Sequence, residues 1–337
     1  MSKLFEAWDS LSVQGELGDS YVGLRLPEVR AAPTYAARSV TDELEAIIMD
    51  IRTQSLPSNP VYPEAHGFSV SASMKEPGRN GRTRLLVKLT DGRYRDLFHA
   101  LAEDVITKLV KVDTEKDAAS LFITRLTKWQ SFMRKHGVMG LSREERHGLI
   151  GELFLLRDYL LGRCDQFIAI ASWKGCRGAN HDFQFRLGCI EVKTTSSSSP
   201  HAFHVSNIRQ LDSPGQGQLY IFLVLIEESE AGDASLPEMI DSLRDHLEGA
   251  ALEAFEDSLV EAGYLEHQRE IYSSPRYSLI KDRFFRVDDN FPRLREDLLP
   301  QGVEGVHYQV AIAACTTFEA SAPEVLDTVL GLGEEVE

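Results

Sequence analysis

This 337-residue chain lacks the sequence features of membrane-spanning proteins and of exported proteins. No stretch of 18 apolar residues exists, and the longest apolar run, residues 219–226, is too short for a transmembrane helix. The first residues also lack the basic segment followed by an apolar stretch that marks an exported protein. We therefore expect a cytoplasmic protein that does not associate with membranes.

Cysteine is scarce and widely spaced. The four cysteines, Cys164, Cys176, Cys189 and Cys315, form no Cys-x-x-Cys pair, and no histidine pair stands near them at zinc-finger spacing. A disulfide framework and a structural zinc site are therefore not expected. The pattern predicts buried or free thiols in a reducing compartment.

Positive charge is also in short supply, with 36 Lys and Arg against 52 Asp and Glu and a net charge of −16. Residues 1–120 carry a net −3, residues 121–220 a net +5 and residues 221–337 a net −18. Proteins that bind DNA by themselves are usually basic, because counterion release from phosphates drives their affinity. We therefore expect weak DNA binding through the middle segment, with tight binding supplied by other subunits.

Within this basic segment, two predicted strands carry charged residues at close spacing. Asp182 begins one strand, Gly188 lies where a tight reversal is needed, and Glu191, Val192 and Lys193 lie on the next strand. This order is typical of a β-hairpin. Because side chains alternate along a strand, Glu191 and Lys193 should share one face and project beside Asp182.

Two carboxylates beside a lysine suit the hydrolysis of phosphodiesters. This chemistry needs hard oxygen ligands for a divalent metal that polarises the phosphate and a water, and a lysine stabilises or orients the attacking hydroxide. An isolated match of this kind also arises as the solvated face of an edge strand. The neighbouring sequence therefore has to decide between the two interpretations.

A third carboxylate stands upstream, on a predicted helix. Ser142 and Glu145 form a capping box, and the helix that they open runs through residues 148–156. Glu152 falls in the middle of this apolar run, where a carboxylate is unfavourable unless a cation meets it. The alternative is a helix-favouring glutamate whose side chain reaches water.

The pattern Asp-x8-Glu-x-Lys, formed by Asp182, Glu191 and Lys193, resembles the PD-(D/E)XK nuclease superfamily. One branch is matched in more detail, by segments at residues 148–153, 173–175, 181–183, 190–195 and 209–211. This branch is the bacterial PD-(D/E)XK motif protein family, a former domain of unknown function found at restriction and phage-defence loci. The detailed resemblance covers roughly residues 95–226, and His181 stands where the superfamily's name implies a proline.

The resemblance implies an α/β fold with a restriction-endonuclease-like αβββαβ core. Residues 206–211 look like the helix that follows the catalytic strand, and the apolar residues 218–226 fit a fully buried strand. The first strand of the core is less clear, because residues 167–172 fit a strand and a helix equally well.

The resemblance also implies a metal site. Asp182 and Glu191 would hold Mg²⁺ or Mn²⁺, helped by the Val192 carbonyl, and Glu152 would bind the metal directly or through water. We expect the three carboxylates to converge on one pocket.

Composition and periodicity divide the chain into four segments. These are a small β-rich N-terminal domain at residues 1–92, a helical connector at 93–141, the nuclease core at 142–226 and an acidic α+β C-terminal region at 227–337.

The expected function is a metal-dependent DNA endonuclease, in which Lys193 positions the nucleophile and Gln210 contacts the scissile strand. The resemblance to defence-locus proteins implies the cutting subunit of a restriction or anti-phage system, beside an ATP-dependent helicase-like subunit and a methyltransferase. Two alternatives remain open: a catalytically inactive assembly subunit that keeps the nuclease fold, and a repair or junction-resolving nuclease.

Overall fold

The chain forms two compact units, Met1–Gly140 and Leu141–Glu337, in a computed structural model. The structure describes residues 3–11, 20–75, 81–136, 140–196, 201–212 and 217–332. The predicted β-rich segment and helical connector both lie in the first unit. The predicted nuclease core and acidic region both lie in the second.

The first unit combines an antiparallel sheet with three helices. Its elements are α1 (Lys3–Ser10), β1 (Tyr21–Arg25), β2 (Thr34–Ser39), β3 (Glu45–Arg52), β4 (Phe68–Lys75), β5 (Arg82–Leu89), α2 (Arg95–Leu109) and α3 (Glu115–Lys135). The sheet order is β1-β2-β3-β5-β4. Leu97, Leu101, Val105 and Leu109 of α2 are buried, as are Phe122 and Trp129 of α3. Each helix therefore buries one apolar side, with the spacing of a 3.6-residue period.

The second unit holds the remaining elements in chain order. They are α4 (Arg143–Phe154), which continues as a π-helical turn (Leu155–Leu160), α5 (Gln166–Ser172), β6 (Phe183–Gln184), β7 (Gly188–Ser196), β8 (Ala202–Val205), β9 (Gln218–Ser229), β10 (Ala234–Ser235), α6 (Leu236–Arg244), α7 (Gly249–Ala262), β11 (Arg276–Val287), β12 (Tyr308–Ala311), β13 (Glu319–Ala320) and α8 (Ala322–Leu330).

A central sheet organises this unit, with strand order β10-β11-β9-β7-β6 and β13 paired to β11. Strands β7 and β9 are parallel, and the other neighbours are antiparallel. Alternate residues of β7 pack into two different hydrophobic cores. Ile190 and Val192 of β7 belong to the large core with the helices, whereas Cys189 belongs to a smaller core with residues of β8 and β12. These two short strands pair with each other as a separate ribbon.

The structure defines the conformation of two segments of the second unit, residues 167–172 and residues 206–211. Residues 167–172, open between strand and helix, are helical as part of α5, and the Asp165 side chain caps its start. The helix predicted over residues 206–211 is wrong: the structure has strand β8 and then a 3-10 turn of four residues, Ile208–Leu211. The Asn207 side chain accepts a hydrogen bond from the Arg209 N–H, which favours this short turn.

Two further predictions can be compared with the structure. All four cysteines are free thiols, as predicted. Among the described residues, no helix is long and apolar enough to cross a membrane.

Candidate active site

The β6–β7 hairpin brings the predicted site residues together. Its turn closes with a hydrogen bond from the Phe185 N–H to the Gly188 carbonyl, 2.9 Å long. A Cβ on Gly188 would stand 2.5 Å from the backbone oxygen of Gln218, the first residue of β9. Glycine is therefore needed here for the close approach of the parallel neighbour.

Glu191 and Lys193 point to the same face of β7, as alternation predicts. Both are nearly inaccessible to solvent, at 1% and 7% exposure. The Lys193 Nζ lies 2.8 Å from Glu191 Oε1 and 2.8 Å from Gln210 Oε1. An ammonium group in this position is thus buried between a carboxylate and an amide oxygen.

Asp182 is fixed beside this pair by its backbone and its side chain. Its carbonyl oxygen accepts hydrogen bonds from the N–H groups of Lys174 (2.7 Å) and Gly175 (2.9 Å). Its Oδ2 accepts a 2.8 Å bond from the Val192 N–H. In a strand the N–H and C=O of one residue point to the same edge, so the Val192 carbonyl also faces the Asp182 side.

Gly175 is a residue of this site to which the sequence assigned no role. A Cβ there would stand 2.3 Å from Asp182 Oδ1 and 3.0 Å from its Cα. Glycine therefore lets the 3-10 turn Gly175–Arg177 lie against the Asp182 carboxyl. The matched segment at residues 173–175 includes this position, but the contact with Asp182 depends on the path of the chain between α5 and β6.

The electrostatics of the cluster are unbalanced. Burial raises the pKa of Glu191 to about 8, and the Asp182 charge adds to the rise, whereas Lys193 opposes it. Burial also raises the pKa of Asp182, against the lowering effects of the Lys193 charge and the Val192 N–H. Glu191 Oε2 is buried and has no hydrogen-bond partner among the described residues. Two carboxylates therefore share one ammonium, and one oxygen is left without a donor.

The donor set fits a hard divalent cation. Carboxylate and carbonyl oxygens suit Mg²⁺ and Mn²⁺, and such an ion would supply the charge that the carboxylate pair lacks. Asp182, Glu191 and the Val192 carbonyl are the groups that would hold it. Mg²⁺ usually keeps several waters and takes only one or two carboxylates, so a two-carboxylate site is chemically sufficient.

Glu152 does not join this pair in the structure. Its half-buried carboxylate accepts a hydrogen bond from Trp173 Nε1. Helix α4 covers the opposite face of β7 from Lys193, since a Cβ on Gly151 would stand 2.1 Å from Thr194 Oγ1. Within the described ranges, no three His, Cys, Asp or Glu side chains could hold a metal ion together. The expected convergence of three carboxylates is therefore not observed, and a role for Glu152 as a ligand stays a prediction.

Gln210 is at the site, but its observed partners belong to the protein. Its Oε1 accepts the Lys193 bond and also bonds from the N–H (3.1 Å) and the Oγ (3.2 Å) of Ser206. Contact with a DNA strand stays a prediction. Ser206 is a second site residue whose contact sequence reasoning did not identify.

Comparison with known protein families gives a match over most of the chain. Residues 4–313 match the family model described as "Putative PD-(D/E)XK family member (DUF4420)". No curated protein and no solved structure matches the chain. The match covers well over half of the 337 residues, and it agrees with the mixed α/β fold. The chain belongs to this PD-(D/E)XK family.

Proposed function

We propose that the protein is a metal-dependent DNA endonuclease that hydrolyses phosphodiester bonds. The observation that carries this proposal is the cluster of the half-buried Asp182 with the buried Glu191 and Lys193, in which one buried Glu191 oxygen has no donor among the described residues. Folding alone gains little from such a cluster, because buried carboxylates with too few partners are unfavourable.

The residues divide the work as follows. Asp182 and Glu191 would hold Mg²⁺ or Mn²⁺ with the Val192 carbonyl, and Glu152 would contribute directly or through water. When bound, the cation supplies positive charge that stabilises the charge developing on the scissile phosphate. An ammonium has three N–H donors, and Lys193 uses two of them on Glu191 and Gln210. Its third donor remains for the attacking water or for a phosphate oxygen.

Ion pairs within the chain are a reason to expect that the isolated protein binds DNA only weakly. Three arginines of the core segment pair with carboxylates of the acidic region: Arg143 with Glu228 (2.8 Å), Arg177 with Glu261 (2.7 Å) and Arg209 with Glu296 (2.9 Å). DNA phosphates would have to compete with these carboxylates, so we expect a Kd on the order of 10⁻⁴ to 10⁻⁶ M.

The proposed biological setting is a restriction or anti-phage complex. The acidic segment at residues 227–270 would dock a basic partner or shield the site from indiscriminate cutting. An ATP-dependent helicase-like subunit and a methyltransferase are the partners that we propose. Free thiols are typical of reducing compartments, which favours action in the cytoplasm.

A non-catalytic assembly subunit is the competing function from a different class. It would keep the fold while partners do the chemistry, and the intact set of Asp182, Glu191 and Lys193 disfavours it. A repair or junction-resolving nuclease keeps the same chemistry and changes only the DNA structure that is cut.

Cleavage assays separate these possibilities. Plasmid, linear duplex and four-way junction DNA are incubated with the purified protein in Mg²⁺ or Mn²⁺, with EDTA as the metal-free control. The assays are repeated with the proteins encoded beside it. We expect cleavage that is lost in EDTA and in the Asp182→Asn and Glu191→Gln variants. If Glu191→Gln cuts as well as the wild type, or if no condition gives cleavage, the nuclease proposal fails.

A further inference from the structure

The Gln210 side chain links the site lysine to the turn that follows β8. Its Oε1 receives three donors: Lys193 Nζ at 2.8 Å, the Ser206 N–H at 3.1 Å and the Ser206 hydroxyl at 3.2 Å. Ser206 itself is exposed and does not contact the carboxylates of the site in the described structure. Its only connection to Lys193 in these bonds passes through one amide oxygen.

The chemistry of the donors fixes the orientation of the amide. An ammonium and a backbone N–H can only donate, so the atom that faces both must be an acceptor. The Gln210 oxygen therefore has to face Lys193, and the NH₂ group points away from it. Among the described residues, nothing accepts a hydrogen bond from that NH₂ group.

Lysine needs such a second contact to hold its ammonium in one direction. Its side chain has four rotatable bonds, and Glu191 alone would fix one point on a group that can still turn. A second acceptor, itself held at two points by Ser206, leaves one direction for the third N–H. That direction is the one in which the reacting water or phosphate oxygen would have to lie.

We propose that Ser206 and Gln210 form a positioning pair that orients the Lys193 ammonium for the chemical step. Ser206 acts only through Gln210, and Gln210 acts through Lys193. This inference rests on the proposed nuclease function, because it assigns the pair a role in that reaction.

The test measures cleavage under single-turnover conditions, together with DNA binding by anisotropy. Ser206→Ala should slow cleavage about threefold to tenfold, the loss expected for one neutral hydrogen bond, without changing the Kd for DNA. Gln210→Leu should slow it roughly tenfold to a hundredfold, because a buried charged donor loses an acceptor. Ser206→Thr keeps the hydroxyl and should restore the wild-type rate.

Two comparisons distinguish positioning from simple stability of the turn. Asn207→Ala removes the side-chain cap in the same turn without touching Gln210, so it should keep the wild-type rate. Ser206→Ala should have no further effect in the Gln210→Leu background, because its route to Lys193 is already gone. Equal slowing by Asn207→Ala and Ser206→Ala, or additive losses in the double variant, would overturn the proposal.

A further measurement needs no activity. In the metal-free protein, thermal unfolding of Ser206→Ala, Lys193→Met and the double variant should show non-additive shifts, and these should vanish when Gln210 is Leu. Additive shifts in the wild-type background would sink the inference. Absence of cleavage by the wild-type protein would instead count against the proposed function, while this coupling could still be present.

Discussion

Each unit of the chain buries an ion pair on its sheet, and the two pairs are built differently. In the first unit, Arg84 of β5 faces Asp50 of β3, with both side chains almost fully buried. The guanidinium donates to both carboxylate oxygens, from Nε at 2.9 Å and from Nη2 at 3.1 Å. In the second unit, Lys193 satisfies only one oxygen of Glu191, and the Asp182 carboxylate lies close enough to raise the Glu191 pKa.

This difference distinguishes a structural ion pair from a candidate active site. A bidentate Arg–carboxylate pair balances its charge and leaves no acceptor open, so it stabilises one arrangement of two strands. The cluster on β7 holds two carboxyl groups against one ammonium, and one Glu191 oxygen has no donor among the described residues, which fits the cation that we propose. Burial alone does not identify function, whereas a buried carboxyl pair with only partial compensation is typical of functional sites.

The largest expected difference is in stability. Asp50→Ala leaves the Arg84 guanidinium buried without its main acceptor and should lower the free energy of unfolding by about 3–5 kcal/mol. Glu191→Ala should change it by less than about 1 kcal/mol, because the repulsion from Asp182 disappears with the lost ion pair. Urea titrations of both variants in EDTA measure this. Asp42→Ala, which breaks the more exposed pair with Lys88, is the control and should have little effect. Equal losses for Asp50→Ala and Glu191→Ala would remove the distinction.

Catalysis should show the next largest effect. Lys193→Ala should slow the single-turnover cleavage rate by roughly 10²- to 10³-fold, because a preorganised donor to the reacting groups is lost. The Mg²⁺ concentration that gives half-maximal rate should change much less, since the carboxylates remain. Arg84→Ala is the matched control, because it also removes a buried cation. Measured below its unfolding temperature, it should keep the wild-type cleavage rate. A variant at Lys193 that loses Mg²⁺ affinity and keeps its maximal rate would give the lysine a different role.

The local part of the site was predictable from the sequence. The capping box of Ser142 and Glu145 starts α4 as predicted, and strand alternation correctly places Glu191 and Lys193 on one face. Both features depend on residues within a few positions of each other. The pairing of Asp182 with the Val192 N–H spans only the hairpin, so it followed from the same pattern.

The parts that failed depend on distant segments. Periodicity shows that α4 is apolar on one side, but it does not tell which face of the sheet the helix covers. That choice follows from the packing of Gly151 on Thr194, and the Glu152 carboxylate accepts a hydrogen bond from Trp173. Strand β8 pairs with β12, which lies far along the chain, and the periodicity of residues 202–211 does not reveal that pairing.

The stability that the cluster on β7 contributes should fall as the pH rises. The folded-state pKa of Glu191, about 8, lies above its usual value of 4.5. Its contribution to stability is therefore fully present below about pH 4.5 and is lost as the pH rises through about 8, by on the order of 5 kcal/mol without metal. The raised pKa of Asp182 acts in the same direction. Urea unfolding from pH 5 to 9 in EDTA should show this decline.

Two measurements test whether the loss of stability at higher pH arises from the cluster on β7. Glu191→Gln does not titrate, so its decline should be clearly smaller than that of the wild type. In the proposed function Mg²⁺ would bind the ionised carboxylates, so it should raise the unfolding temperature of the wild type more at pH 8 than at pH 6. An unchanged pH profile in Glu191→Gln would show that the decline arises elsewhere.

The smallest expected effect concerns an exposed pair, Arg209 with Glu296. Both side chains are about half exposed, so the pair adds little to stability, and its partner can be replaced by a phosphate. Glu296→Gln frees Arg209, which adjoins Gln210, and should tighten the Kd for duplex DNA about twofold to fivefold at low salt. Asp297→Asn removes the same charge from the next residue but frees Arg295, which also lies 3.8 Å from Asp289. Anisotropy titrations at two salt concentrations should therefore show the larger gain for Glu296→Gln. Equal gains would mean that only net charge matters, and that the acidic region acts as a general shield rather than by holding particular arginines.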